Sequence, residues 1–481
     1  MSAQVPKLRA LLLLLPFALA ACMIGPDYVR PAVDVPATWR IDAREARDVS
    51  GTAWWEQFHD PVLNDLIATA LAQNNDVRVA AARIEEYRGR LAVTNSQLFP
   101  QVSANADAAR QRASLQSSFI TYPQGTDTHF NSYQAILSAS WEIDLWGQLR
   151  RATEAARDDL LATTEAKRAV VLSLVASTAN DYILLRNLDR QLEIARGTAQ
   201  SRAESLHVFE LRFKGGVVSE LELAQNQSQY QDAVASIPPI VDQIAATENQ
   251  LAVLLGRNPG LIPRGSNIDE LEPPEVPAGL PSDLLDQRPD IRQAEEQLAA
   301  ANARIGVARA AYFPVISLTG ALGSASTQLS SLFSGPAGLW SYGVGLVAPI
   351  FTAGQIAGQV QQAEAQQQEA LFTYKKSIQN AFADVDTVLV DRSTSLERLA
   401  ALRAEVEANA TYARLARLRY ENGYTSYLEV LDAEARLFSA QLALTAQQGQ
   451  VLTAAVNLYQ AMGGGWVEIA ESKTSSTSQT Q

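Results

Sequence analysis

The sequence predicts a mixed, mainly α chain with a membrane β-barrel. It has two structural repeats per chain, and three chains close a 12-stranded barrel above a long periplasmic α-helical barrel. Three observations lead there: an internal duplication, two very long proline-free stretches, and four segments of alternating polarity, each pair of them ahead of one long stretch.

The N-terminus sets the compartment. Lys7 and Arg9 precede Ala10–Ala21, apolar throughout and broken by Pro16. That run is too short to span a bilayer as a helix and reads as a signal peptide, residues 1–21. It ends in Leu19-Ala20-Ala21-Cys22, small residues before the sole cysteine, which matches a bacterial lipobox. Cys22 is therefore expected to be the acylated (palmitate-bearing) first residue of a lipoprotein. A single cysteine in an oxidising compartment leaves no internal disulfide, so packing and assembly must supply stability. Removing residues 1–21 takes away Lys7 and Arg9 and no acid, moving the net charge from −13 to −15. So acidic a chain is a poor partner for nucleic acid.

The duplication has a period near 210 residues. Asn75-Asp76-Val77-Arg78 recurs as Pro289-Asp290-Ile291-Arg292, and Phe99-Pro100 as Phe313-Pro314. Gly147-Gln148 recurs as Gly354-Gln355; Arg212, Gly216, Ser219, Leu221 and Glu222 recur as Arg419, Gly423, Ser426, Leu428 and Glu429. The expected organisation is an extended segment 22–60, a first repeat 61–256 (helix, β-hairpin, long helix, return helix), a proline-rich connector 257–283, a second repeat 284–463 and a tail 464–481.

Each repeat contains an unusual helix. Gln148–Lys214 holds no proline and one glycine, Gly197; Gln359–Asn422 holds neither residue. Each stretch of about 65 residues would run roughly 95–100 Å if continuous. Apolar or small residues recur at three and four, as in Tyr182, Leu185, Leu188, Leu192 and Ala195, and in Leu396, Leu399, Leu402, Val406, Ala413, Ala416 and Tyr420. This is coiled-coil-like packing, although a plain antiparallel bundle has the same period. Gly215-Gly216 and Asn422-Gly423 turn the chain into return helices Glu220–Leu255 and Leu428–Met462. Pro238-Pro239 should break or kink the first of these.

Ahead of each long helix comes a hairpin of strands about 9–11 residues long. Trp340, Tyr342, Val344, Leu346 and Ala348 alternate with small or polar residues. Tyr133, Ala135, Leu137, Ala139, Trp141, Ile143 and Leu145 share one face, with Gln134, Ser138, Ser140, Glu142 and Asp144 on the other and Ile136 as an exception. Val102–Ala108 and Ile316–Leu322 alternate likewise. A soluble half-buried sheet shows the same pattern; export and lipidation favour the membrane. Open edges do not survive in lipid, so the strands must close. Two chains would give eight strands, a barrel filled by its own side chains, and three give twelve, enough to leave a pore.

Enzymatic chemistry is not in evidence. His59, His129 and His207 lie in dissimilar contexts with no metal spacing, and there is neither a P-loop nor a Gly-x-Ser-x-Gly elbow. The chain is read as not an enzyme and as needing no cofactor. Asp158-Asp159 reads as a solvated helix face.

Several motifs carry a family resemblance. Cys22-Met23-Ile24-Gly25-Pro26-Asp27-Tyr28 with Arg30-Pro31, and Trp54-Trp55 with Phe58 and Asp60-Pro61, resemble the TolC-type outer membrane factor family in its NodT-like lipoprotein branch. So do Leu280–Leu285 with Arg288-Pro289-Asp290-Ile291, and Tyr427-Leu428-Glu429-Val430-Leu431-Asp432-Ala433. The resemblance implies a homotrimer in outer-membrane lipid, joined through a periplasmic adaptor (membrane fusion) protein to an inner-membrane pump of the resistance-nodulation-division type. The implied function is passive export of small, drug-like molecules. Competing readings are a conduit for protein secretion and a structural coiled-coil surface lipoprotein. Three methionines, one the initiator, do not suggest a copper relay.

The resemblance also implies site residues. The turns bearing Arg212, Gly216 and Ser219, and Arg419, Gly423 and Ser426, would be the adaptor-docking tips, although simple turn chemistry also explains their glycines. Leu428 and Asp432, four apart on one helix face, would form rings at a periplasmic gate; Gln225 stands at the equivalent position of the first repeat. Three such carboxylates about 6 Å apart would repel by up to ~3 kcal/mol per pair at an effective dielectric near 20. Arg436 is spaced to brace Asp432, though the family carries that arginine one position earlier, where this chain has Ala435.

Overall fold

The computed structural model describes residues 23–36, 39, 53–114, 127–274, 284–463 and 466–467. The signal segment 1–21, Cys22 and most of the tail lie outside these residues. The chain divides into two compact units. One gathers the chain up to Pro31 with Ile84–Thr163 and Ala294–Tyr374; the other gathers Ala32–Arg83, Thr164–Gln293 and the chain from Lys375.

The two repeats follow one order. The first has helices α1 (Pro61–Gln73) and α2 (Asn75–Ser96), strands β1 (Gln101–Arg112) and β2 (His129–Ile143), the long helix α3 (Gln148–Lys214), and return helices α4 (Glu220–Ala235) and α5 (Ile237–Leu254). The second has α6 (Leu284–Gln287), α7 (Pro289–Ala310), β3 (Val315–Ser326), β4 (Gly338–Val347), the long helix α8 (Gln355–Glu421) and the return helix α9 (Tyr427–Met462). Both long helices are 67 residues and unbroken. Each is entered through a glycine in the left-handed region, Gly147 at φ +78° and Gly354 at φ +86°. Pro238-Pro239 does break the first return helix: α4 stops at Ala235 and the prolines fall in the first turn of α5, where their missing N–H and fixed φ cost least. With no proline, α9 runs 36 residues without a break.

In the first unit the two hairpins form one antiparallel sheet, ordered β1-β2-β3-β4. The register aligns Ala104, Leu137, Leu322 and Trp340 in one row and Val102, Ala139, Gly320 and Tyr342 in the next. The expected apolar face is therefore continuous across all four strands, and it is exposed: Trp340 at 72% and Tyr342 at 83%. The opposite face carries Ser103, Ser138, Ala321 and Ser341 in one row. Ile136 sits there beside Gly323, where a Cβ would come within 2.8 Å of the Ile136 Cα. The strands are 12, 15, 12 and 10 residues, longer than expected for three of them. Pairing continues past the apolar rows into Arg110, Gln111 and Arg112 against Asn131, Phe130 and His129. Backbone pairing is favourable there too, so the ladder need not stop where the apolar face does.

The same unit straps down residues after Met23. Ile24 N–H donates to Trp146 O at 3.0 Å, and Asn302 Nδ2 to Pro26 O at 2.9 Å. Arg151, 2% exposed, donates to Asp27 at 2.6 Å and Glu154 at 2.8 Å. Tyr28 and Arg30 both reach Glu295. The backbones meet at two glycines: a Cβ on Gly25 would lie 2.5 Å from the Gly306 Cα, and one on Gly306 would lie 2.6 Å from Ile24 O.

The second unit holds the large core. Trp54 stacks on Tyr459 at 5.3 Å and meets Trp55 and Trp466 edge-on. Trp54 belongs to a buried 3-10 turn, Trp54–Phe58, inside the segment expected to be extended. Trp466 and Val467, expected in the tail, are buried in the same cluster. Nearby Asp60, fully buried, accepts from Val62 N at 2.8 Å, Tyr182 OH at 2.6 Å and Ser266 N at 3.0 Å. One carboxylate thus caps α1 and ties the connector to α3. The seam read from the first long helix is buried at Tyr182, Leu185, Leu188 and Ala195; in the second, Leu399 and Ala416 are buried and Leu396 is 42% exposed.

The acids at 158 and 159 depart from the expected solvated face. Asp159 pairs with Arg304. Asp158 is half-buried, and burial, with Glu296, Glu154 and Asp159 adding repulsion, pushes its carboxyl up to about 6.

Two outcomes follow from this packing. Gly306→Val forces a side chain into the strap and should cost about 1–3 kcal/mol, read as a lower melting temperature and faster proteolysis near Tyr28; wild-type values for both would refute the close-approach reading. Asp158 keeps in the fold a proton that the unfolded chain releases between about 4 and about 6, so its contribution to stability falls as pH rises through that window. Asp158→Asn should therefore raise the melting temperature at pH 7 more than at pH 4, and equal shifts at both would count against it.

Candidate functional site

The ends of the long helices, within the second unit, bring the expected site residues together. Both helices stop in the same way. Val217 N bonds to Arg212 O and Gly216 N to Phe213 O, each at 2.9 Å; Tyr424 N bonds to Arg419 O and Gly423 N to Tyr420 O, also at 2.9 Å. This is the paired 6→1 and 5→2 pattern that needs a left-handed residue, supplied by Gly216 at φ +69° and Gly423 at φ +76°. Arg212, Gly216, Ser219, Arg419, Gly423 and Ser426 are all exposed. The turns also expose Val217 at 74% and Tyr424 at 77%.

The return helices start differently despite their shared sequence. Ser219 caps α4 in a reciprocal box: Glu222 N donates to Ser219 Oγ, and Ser219 N donates to Glu222 at 2.8 Å. Ser426 occupies the same position on α9 without a side-chain capping bond. Its repeat partner of Glu222, Glu429, is taken instead by Arg419 at 2.9 Å and by the Thr425 hydroxyl.

Beneath the turns lies an aromatic cluster that the sequence reading did not single out as a site. Tyr427 packs on Phe209 at 4.3 Å and on Tyr420 at 4.9 Å, with Val430, Leu431 and Ala433 below. Arg212 donates to Tyr420 OH at 3.3 Å and lies over the Phe209 ring. Burial, followed by the charge of Glu434, pushes the Tyr427 hydroxyl up to about 12. The available signal was a break in the repeat: Tyr427 stands where the first repeat has Glu220.

Burial along α9 sorts its faces. Tyr427, Val430, Leu431 and Ala433 are buried, whereas Leu428, Asp432 and Arg436, spaced by four, are exposed along one stripe. Asp432 Oδ2 accepts from Arg436 Nε at 2.8 Å and from Tyr412 OH at 3.3 Å. The Arg436 bond holds the Asp432 carboxyl below the usual range. The brace across one helical turn is therefore made although Ala435 occupies the family's arginine position. In the first repeat Leu221 is exposed, like Leu428, and Gln225 is half-buried.

Cys22 lies outside the described residues. Its neighbour Met23 sits against Gly147, at the junction of β2 and α3. No group of His, Cys, Asp and Glu side chains among the described residues is arranged to hold a metal.

Comparison with known proteins matches this architecture. The profile of the outer membrane efflux protein family matches residues 66–257 and 280–464, one match per repeat. The probable efflux pump outer membrane protein TtgC of Pseudomonas putida is 38% identical over 460 residues, covering 94% of each chain. The open-state MtrE outer membrane channel of Neisseria gonorrhoeae is 32% identical with a TM-score of 0.82, over 92% of this chain and 99% of that one. The CmeC outer membrane channel of Campylobacter jejuni is 25% identical with a TM-score of 0.87, over 94% and 98%.

Proposed function

This chain belongs to the outer membrane efflux protein family, and we propose that it works as a homotrimer, the passive outer-membrane channel of a tripartite system that exports small, drug-like molecules. The observation that carries the proposal is the sheet: among the described residues it has four strands, an exposed apolar face, and free edges on β1 and β4. Such edges are tolerated in hydrocarbon once they pair, and three copies closing edge to edge give twelve strands around a pore. A periplasmic adaptor would dock at the tips bearing Arg212, Gly216, Ser219, Arg419, Gly423 and Ser426, linking the channel to an inner-membrane pump of the resistance-nodulation-division type. Acylation at Cys22 would add a second hold on the outer membrane. Met23, packed at the strand–helix junction, would keep that anchor near the end of the sheet.

The gate in this reading is the Leu428–Asp432–Arg436 stripe. Rings of Leu428 supply an apolar plug. Asp432 needs partners if its copies are to approach one another, and Arg436 and Tyr412 of the same chain supply them. Each carboxylate enters the closed state already compensated, which lowers the repulsion that a bare ring would carry.

Replacing Leu428 and Asp432 together by Ala should raise resting conductance in planar bilayers and sensitise cells to large antibiotics; unchanged conductance in intact oligomers would remove both residues from the gate. Arg436→Gln, which unmasks Asp432, should increase cation over anion selectivity, and an unchanged reversal potential would sink the compensation. For the partners, Gly216→Leu with Gly423→Leu should abolish export while oligomer yield holds. Cys22→Ala should abolish fatty-acid labelling. Normal export in the first variant, or persistent labelling in the second, would defeat the docking role or the anchor respectively.

A further inference from the structure

Three helix faces of the second unit converge on a cavity of about 420 Å³ that belongs to neither the tips nor the gate stripe. α3 contributes Thr198, Ser201 and Arg202; α8 contributes Arg414 and Arg417; α9 contributes Glu434 and Phe438. On each helix these residues follow three- and four-residue spacing, so each set is one face. Glu434 and Phe438 are two residues on from Asp432 and Arg436, which puts them on the opposite side of α9 from the gate stripe.

The charges on this wall do not cancel. Three guanidinium groups meet one carboxylate. Glu434 is engaged by Arg417 at 2.6 Å. Arg202 is 7% exposed; it donates to Gln229 O at 2.7 Å and lies 5.5 Å from the Phe438 ring, with no ion pair among the described residues. Burial disfavours its charged form, lowering its pKa. Arg414 is exposed and makes neither a hydrogen bond nor an ion pair among the described residues. Glu434 and Asp232 reach Arg202 through their fields, without an ion pair among the described residues. A buried cation so weakly compensated is costly, and the space beside it is open and flanked by Arg414, two hydroxyls and the Phe438 side chain.

We infer that this cavity binds a small organic anion, a carboxylate, sulfonate or phosphate ester carried on an apolar ring. The planar guanidinium forks of Arg202 and Arg414 match the oxygens of such a group bidentately, and the hydroxyls of Thr198 and Ser201 add donors. The Phe438 side of the cavity accepts the ring. Its volume lies at the small end of the range for ligand sites, about 300–1,000 Å³, and suits one fused bicyclic ring with one anionic group. Because all three helices supply contacts, the bound anion joins the long helix of the first repeat to both helices of the second.

The test is titration calorimetry on the full-length chain purified in detergent, with 1-naphthalenesulfonate, inorganic sulfate and neutral 1-naphthalenemethanol as probes. The sulfonate should bind saturably, one per chain, sulfate should compete more weakly, and the neutral alcohol should not bind. Arg414→Gln should weaken sulfonate binding by about tenfold or more, whereas Glu434→Gln, which removes the carboxylate on the wall, should tighten it. Melting temperatures of both variants identify any loss caused by unfolding, and Arg414, exposed and unpaired, is the safer of the two. The inference is overturned if the alcohol binds as well as the sulfonate, if neither substitution changes the affinity of a folded protein, or if no saturable binding occurs.

Discussion

A backbone N–H or C=O inside a hydrocarbon layer has no partner except another backbone or side-chain group, and an unmade hydrogen bond there costs several kcal/mol. The rest of this chain can be understood from that constraint. Among the described residues, four strands pair with one another along three ladders, and β1 and β4 each keep one free edge. The apolar rows from Val102 to Tyr342 share one exposed face, so lipid contact and edge pairing are demanded of the same sheet. Closure by further copies answers both demands. Duplication answers a related one: each repeat supplies a hairpin and a helix of the same 67-residue length, so the two halves stay in step.

The second unit solves a different problem, holding long helices of weak amphipathicity in a fixed relation without disulfides. It does so at a few dense points. The Trp54, Trp55, Tyr459 and Trp466 cluster draws the turn ahead of α1 and the residues after α9 into one core. Asp60 satisfies the first turn of α1, the Tyr182 hydroxyl and the connector at once. A buried carboxylate is tolerable because all of these donors converge on it; removing one would leave the others to compensate a largely desolvated charge. At the far end, Tyr427 packs the two turns onto one aromatic cluster, so the tips are coupled through side chains rather than through their glycines.

Charge on α9 is arranged by face. On the exposed stripe, Arg436 neutralises Asp432 within a single turn. On the opposite face Glu434 pairs with Arg417, and among the described residues Arg202 and Arg414 form no ion pair. One helix thus presents a compensated surface in one direction and an electropositive hollow in the other. Helices α3 and α8 decide the second of these by supplying its arginines.

By itself the sequence determined whatever depends on period, spacing and special backbone angles. The repeat placed Gly147 and Gly354 at the starts of the long helices, and Gly216 and Gly423 at their ends, because those positions need φ values that other residues rarely adopt. Alternation assigned the strand faces, and Pro238-Pro239 located the break that α9 lacks. The tertiary structure decided what depends on neighbours distant in sequence. Spacing offered Arg436 to Asp432 but said nothing of Tyr412, twenty residues back, which completes the pair from α8. Alternation named an apolar face, but the pairing of β2 with β3 was needed to merge two hairpins into one sheet. Trp466 looked like part of a tail until the fold brought it against Trp54, and Asp158 looked solvated until the fold half-buried it and brought Glu296 beside it. Thr198, Arg414 and Phe438 lie on three separate helices, and no local pattern joins them; their shared cavity exists because the helices pack side by side.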